Sequence, residues 1–170
     1  MTGQKTNGNG AANGGTNSNT AEQNFKLEKI YLKDTSFESP RSPAVFQQQW
    51  QPEISLNLQT KVEQLAETTY EVVLTVTVEA NTESQPVFLV ELQQAGIFTV
   101  AGFGDQQRGQ LLGGFAPGVL FPYAREAISE LVAKGGFPQL LLQPVNFDAL
   151  YQQQRQQAAQ GAAGGTAGTA

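Results

Sequence analysis

The chain has 170 residues, no Cys and no His, and ten Lys plus Arg against fifteen Asp plus Glu, a net charge of −5 at pH 7. This composition excludes thiolate and imidazole chemistry: Cys nucleophiles, Cys or His metal ligands, a Ser-His-Asp triad and a disulfide framework. An acidic chain is also poorly suited to a phosphate backbone, and no run approaches the roughly 18–20 apolar residues of a membrane span, so neither nucleic-acid binding nor membrane insertion is expected.

Residues 1–23 are mostly Gly, Asn, Thr, Ala and Gln and read as a disordered N-terminal extension, because they cannot bury enough apolar surface to offset chain entropy. No apolar h-region follows Met1, so no secretory signal is expected and the expected location is the cytoplasm. Phe25 to Leu32 reads as a strand with Phe25, Leu27, Lys29 and Tyr31 on one face and Ile30 and Leu32 on the other, apolar on both sides. Asp34 to Pro43, with two Pro and three Ser, reads as a loop. Glu53 to Thr60 alternates with Ile54, Leu56 and Leu58 inward, as in a half-buried strand. Tyr70 to Ala80 repeats the pattern with Tyr70, Val72, Leu74, Val76 and Val78 inside. Asn81 to Pro86 reads as a turn, and Val87 to Val100 as a further strand, interrupted near Ala95-Gly96. Consecutive strands on short polar links predict an antiparallel meander.

The period then changes. A short helix over Asp105–Leu112 is expected to break at Gly113-Gly114. After Pro117, Leu120, Tyr123, Ala124, Ala127, Ile128, Leu131 and Val132 recur at helical spacing, with Pro117 or Pro122 in the first turn and Gly135-Gly136 as the stop. Phe137 to Val145 is an apolar connector, and Asn146 caps a last helix carrying Phe147, Leu150 and Tyr151 that frays in the Gln/Ala run behind it. Strands first and helices after them predict an α+β fold. The domain spans 24–151, between the extension and a disordered Gln/Ala/Gly-rich tail over 152–170.

Few motifs carry chemistry. Gly102-Phe-Gly-Asp-Gln-Gln-Arg-Gly109 follows a strand, but the dinucleotide fingerprint needs Gly where Gln107 stands, and Gly-Lys-Ser/Thr is absent. Asp34 with Glu38, and Glu126 with Glu130, are the carboxylate pairs available for acid–base work, and neither has an evident group to shift its pKa. No catalytic residue, metal or cofactor is therefore expected. Residues 53–91 carry seven Glu against Lys61 alone, which reads either as a solubilising face or as a negative docking surface for a basic partner. Frequent Gln and loop aromatics suit contact with extended chains.

Several motifs in fixed order resemble the SecB family of export chaperones: Phe25-Lys-Leu-Glu-Lys-Ile-Tyr-Leu-Lys-Asp-Thr-Ser-Phe-Glu-Ser-Pro40, Trp50-Gln-Pro-Glu53, Phe88-Leu-Val-Glu-Leu-Gln-Gln-Ala-Gly-Ile-Phe98, Leu120-Phe-Pro-Tyr-Ala-Arg-Glu126 and Pro144-Val-Asn-Phe-Asp-Ala-Leu150. The resemblance covers roughly 24–151. It implies a four-stranded antiparallel sheet with a long helix and a C-terminal helix packed on one side, assembling as a homotetramer, a dimer of dimers. It implies an ATP-independent holdase that keeps unfolded precursors competent for translocation and delivers them to the SecA motor. Carried over residue by residue, it places Asp34, Glu38, Leu89 and Glu91 at the motor-docking surface and Val90, Leu92 and Gln94 in a stretch linked to subunit assembly. A client groove lined by Tyr31, Phe37, Phe46, Trp50, Tyr123 and Phe137 follows from residue type and resemblance together. The alternative is a non-enzymatic adaptor that binds one folded partner through the acidic sheet.

Overall fold

A computed structural model describes residues 22–164; the N-terminal extension, but for its last two residues, and the end of the tail lie outside them. Four strands, β1 (Asn24–Glu38), β2 (Glu53–Gln64), β3 (Thr69–Thr82) and β4 (Gln85–Ala101), form one antiparallel sheet in the order β1-β4-β3-β2. The helices α1 (Asp105–Gln110), α2 (Ala116–Lys134) and α3 (Phe147–Gly164) follow.

Period-two alternation builds the core. Tyr70, Val72, Leu74, Val76, Val78 and Ala80 of β3 lie beside Phe98, Gly96, Gln94, Leu92, Val90 and Phe88 of β4, and this face is buried under α2, chiefly by Leu120, Ala124, Ile128 and Val132. No described helix packs on the other sheet face, although Glu71, Val73 and Ala95 on it are buried. β1 and β2 are the two edges, and α2 packs mainly over β4 and β3.

The structure departs from the sequence reading at identifiable places. β1 is not apolar on both sides. Pairing with β4 skips Glu28, and this one-residue bulge moves Ile30 and Leu32 to the same face as Phe25 and Leu27. Lys29 and Tyr31 therefore occupy the open face. The strand also continues through 34–38, expected as a loop, because those residues pair with β4 from Asp34↔Gln93 to Glu38↔Leu89; Pro40 lies just beyond its end. β4 runs uninterrupted past Ala95-Gly96. β3 and β4 join in a tight turn whose central residues, Glu83 and Ser84, have φ of 52° and 61°.

Gly113-Gly114 does not break the helix. Leu111–Phe115 forms a π-helical turn that carries α1 into α2. The glycines permit a close approach: a Cβ on either would collide with Tyr151 or Asp148 of α3. Pro117 lies in the first turn of α2, and Pro122 lies inside it. The helix ends as expected, with Gly136 N–H donating to Ala133 O (3.0 Å) and Phe137 N–H to Val132 O (3.2 Å), Gly136 having φ +86°. Asn146 caps α3 by accepting from the Ala149 N–H at 3.0 Å. α3 continues through the Gln/Ala run to Gly164, further than its apolar periodicity indicates, because Gln and Ala favour helix even where nothing packs on them.

Candidate functional site

The two sheet faces present two different surfaces. On the helix side, at the end where β1 stops, aromatic rings gather. Phe137, just past α2, is 5.1 Å from Phe88, 5.2 Å from Phe46 and 5.4 Å from Trp50, centroid to centroid. Phe37 of β1 stacks on Phe88 at 6.0 Å, its ring filling the space that a Cβ on Gly135 would need. Phe88 and Phe137 form a buried floor, whereas Phe46 and Trp50, on the loop between β1 and β2, are 50% and 38% exposed. That loop is held by a 3₁₀ turn, Ala44–Gln47, anchored through buried Val45. Rings so exposed beside an aromatic floor can bury further apolar surface.

The structure brings four of the six expected groove residues together: Phe37, Phe46, Trp50 and Phe137. Tyr31 is on the opposite sheet face, because the bulge at Glu28 reversed its direction. Tyr123 is exposed on α2 and makes no ring contact with the cluster. Two contributors escaped the sequence reading. One is Phe88, expected only as part of the strand Val87–Val100. The other is β2, where Ile54, Leu56 and Leu58 point to the helix side in the expected alternation and Val62 continues it beyond the strand's expected end at Thr60. Ile54 and Leu56 are nevertheless 40% exposed and Val62 41%, because β2 lies at the sheet edge. Ile54 shares a cross-strand row with Ala80 and Phe88, so this apolar stripe continues from the aromatic cluster. It runs beside the backbone edge of β2 that pairs with no other described strand.

The open face carries charge. The cross-strand row Glu38–Leu89–Glu79 sets an apolar side chain between two carboxylates, with Glu91 one row further and Asp34 one row beyond that. Rows on one face are about 7 Å apart, so these groups lie within a patch roughly 14 Å long. None of Asp34, Glu38, Glu79 and Glu91 is paired with a cation among the described residues. The other end of the face holds Lys26, Lys29, Lys33 and Lys61 and pairs its carboxylates: Lys26–Glu28 at 2.9 Å, Lys33–Glu71 at 2.8 Å and Lys61–Glu63 at 3.6 Å. The four residues expected at a motor-docking surface thus share one face and one end of it. Val90, Leu92 and Gln94, expected in subunit assembly, face inward and are enclosed within this chain.

Glu71 is the buried carboxylate among the described residues, 7% exposed, covered by one layer of side chains on the open face. Lys33 Nζ donates to both its oxygens at 2.8 Å, and the Tyr31 hydroxyl donates as well. These donors, Lys33 first and then Tyr31, hold Glu71 below its ordinary value of 4.5, against the opposing effect of burial. Burial, followed by the neighbouring carboxylate, pushes the Tyr31 hydroxyl up to about 12. The stabilisation from Glu71 is present above the ordinary carboxylate value and is lost as pH falls through its lowered one; that from Tyr31 is present below pH 10 and is lost as pH rises through about 12. Melting temperatures of the wild type and Glu71→Gln are therefore expected to differ at neutral pH and to converge as pH falls through the lowered Glu71 value. A gap independent of pH would contradict this account.

No described helix is long and apolar enough to cross a membrane, and no described cluster of acidic residues is arranged to hold a metal ion. Residues 18–158 match the family model described as preprotein translocase subunit SecB. The chain is 56% identical over 137 residues to the protein-export protein SecB of Methylococcus capsulatus, covering 81% of this chain and 88% of that one. It is 53% identical over 148 residues to that of Nitrosococcus oceani, covering 84% and 90%. Among solved structures, the fold is similar to the SecB-like chaperone of Mycobacterium tuberculosis in complex with a peptide of the HigA1 antitoxin, with a TM-score of 0.60 at 17% identity over 71% of this chain and 90% of that one.

Proposed function

This chain belongs to the SecB family, chaperones for protein export and not enzymes, and on that premise we propose that it holds unfolded precursors along the aromatic cluster and β2 and hands them to the SecA motor through the acidic end of its open face. The observation that carries the reading is the run of exposed apolar side chains from Phe46 and Trp50 through Ile54 and Leu56, continued past half-buried Leu58 and polar Thr60 by exposed Val62, beside an open strand edge. An unfolded chain offers apolar side chains and unpaired backbone groups together. The stripe takes the first, and strand addition at β2 takes the second. From Ile54 to Val62 the strand spans roughly 26 Å, enough for an extended segment of about eight residues. A folded client hides both features, so selectivity arises from competition between folding and capture. Family membership does not favour the adaptor alternative.

Assembly as a dimer of dimers is part of the same reading. Val90, Leu92 and Gln94 act in it indirectly, by setting the packing of α2 and β1. Light scattering of the purified chain is expected to give about four times the subunit mass, and a monomer at micromolar concentration would remove this part of the proposal.

The client surface is tested by Ile54→Ser with Leu56→Ser. Both side chains are already 40% exposed, so the melting temperature is expected to change little. Affinity for a slow-folding client diluted from denaturant is expected to fall about tenfold. Undiminished suppression of client aggregation would place the binding surface elsewhere.

A further inference from the structure

β1 carries a second one-residue bulge, at Lys33, between the pairs Leu32↔Gln94 and Asp34↔Gln93. It decides what the rest of the strand displays. With the bulge, Asp34, Ser36 and Glu38 point to the open face, and Thr35 and Phe37 point inward. Without it, strict alternation from Tyr31 would put Lys33, Thr35 and Phe37 on the open face and turn Asp34 and Glu38 inward. A slip of one residue would thus dismantle the acidic patch and withdraw Phe37 from the aromatic cluster together.

The bulge is gripped from both faces of the sheet. On the open side, Lys33 reaches across β4 to β3, where both oxygens of buried Glu71 accept from it at 2.8 Å, and Tyr31 donates to the same carboxylate. On the inner side, Gln94, polar and 5% exposed within an apolar row, donates from Nε2 to the Tyr31 carbonyl at 2.9 Å. Bulges that interrupt edge-strand pairing are where register is least specified by the ladder itself, so side chains must supply the constraint.

We propose that Glu71 and Gln94 are positioning residues that pin the bulge at Lys33 and so fix the register of residues 34–38, on which both the acidic docking patch and Phe37 depend. The inference rests on the two binding surfaces proposed above, and its first readout is independent of them.

That readout is amide hydrogen exchange of residues 34–38 in the full-length protein. Glu71→Ala combined with Gln94→Ala is expected to speed exchange there at least tenfold and to weaken SecA binding at least tenfold. The charge swap Lys33→Glu with Glu71→Lys is expected to restore most of the protection and binding lost in Glu71→Ala alone. Glu67→Ala, which removes a carboxylate in the turn between β2 and β3, away from both Glu71 and the bulge, is expected to change neither. If the double variant does not fold, Glu71→Gln gives the same reading at smaller amplitude. Unchanged exchange over 34–38 in a folded Glu71 variant overturns the proposal, as does failure of the swap to rescue. Faster exchange with unaltered SecA binding upholds the pin and sinks the docking assignment instead.

Discussion

Phe137→Ala is expected to lower the unfolding free energy by about 3–4 kcal/mol, measured by urea denaturation, and to abolish most client binding. The ring is 6% exposed and touches Phe37, Phe46, Trp50 and Phe88, so its removal leaves a cavity that four large rings cannot collapse to fill. It is also the residue whose N–H closes the end of α2 on Val132, which ties the floor of the cluster to the main helix. Phe137→Leu separates the two losses. It keeps most of the volume and is expected to cost under about 1.5 kcal/mol, while removing the flat surface on which Phe46 and Trp50 rest. Client affinity is then expected to fall more than stability does. Leu141→Ala, on the same connector but 67% exposed, should change stability by less than about 0.5 kcal/mol. A Phe137→Ala protein as stable as the wild type would show that the rings do not form a packed floor.

Glu38→Lys with Glu91→Lys is expected to weaken SecA binding by roughly a hundredfold at low ionic strength, through like-charge repulsion against a basic partner, and by less as salt rises. Both side chains are exposed, and neither makes an ion pair among the described residues, so stability should move by less than about 0.5 kcal/mol. The proposed client stripe lies on the other side of the sheet, so client binding should be unchanged. Isothermal titration with SecA and with an unfolded client, on one preparation, checks both. Equal loss of the two would mean that the reversals damaged the subunit, and no loss of either would remove the acidic face from the docking surface.

Strand periodicity made the centre of the sheet legible: the inward rows of β3 were readable residue by residue, and so were the caps of α2 and α3. What could not be read has common physical causes. A bulge adds one residue without changing composition, so the directions of Lys29 and Tyr31 were legible only up to Glu28, and Tyr31 was placed with aromatics that lie across the sheet from it. Residues 34–38 look like a loop because Asp and Ser favour turns, yet thirteen-fold pairing of β1 with β4 overrides that preference. Alternation in β2 reported which way Ile54 and Leu56 point, but not whether anything covers that side; cover depends on where α2 lies, which is a tertiary fact. The four residues proposed for docking could be named only by resemblance, since Leu89 and Glu38 come from distant stretches and meet only through the β1–β4 register.

The two-sided segment 34–38 also constrains how such a chain can diverge. Substitutions there can be tested one side at a time, since odd and even positions answer to different partners. Insertions and deletions cannot, because a single codon gained or lost inverts every following side chain and disables both surfaces in one generation. The turn at Glu83-Ser84 and the stretch after Tyr151 carry no such coupling. Length variation among descendants of this chain should therefore accumulate at those places and be purged from the end of β1, whatever happens to the side chains along it.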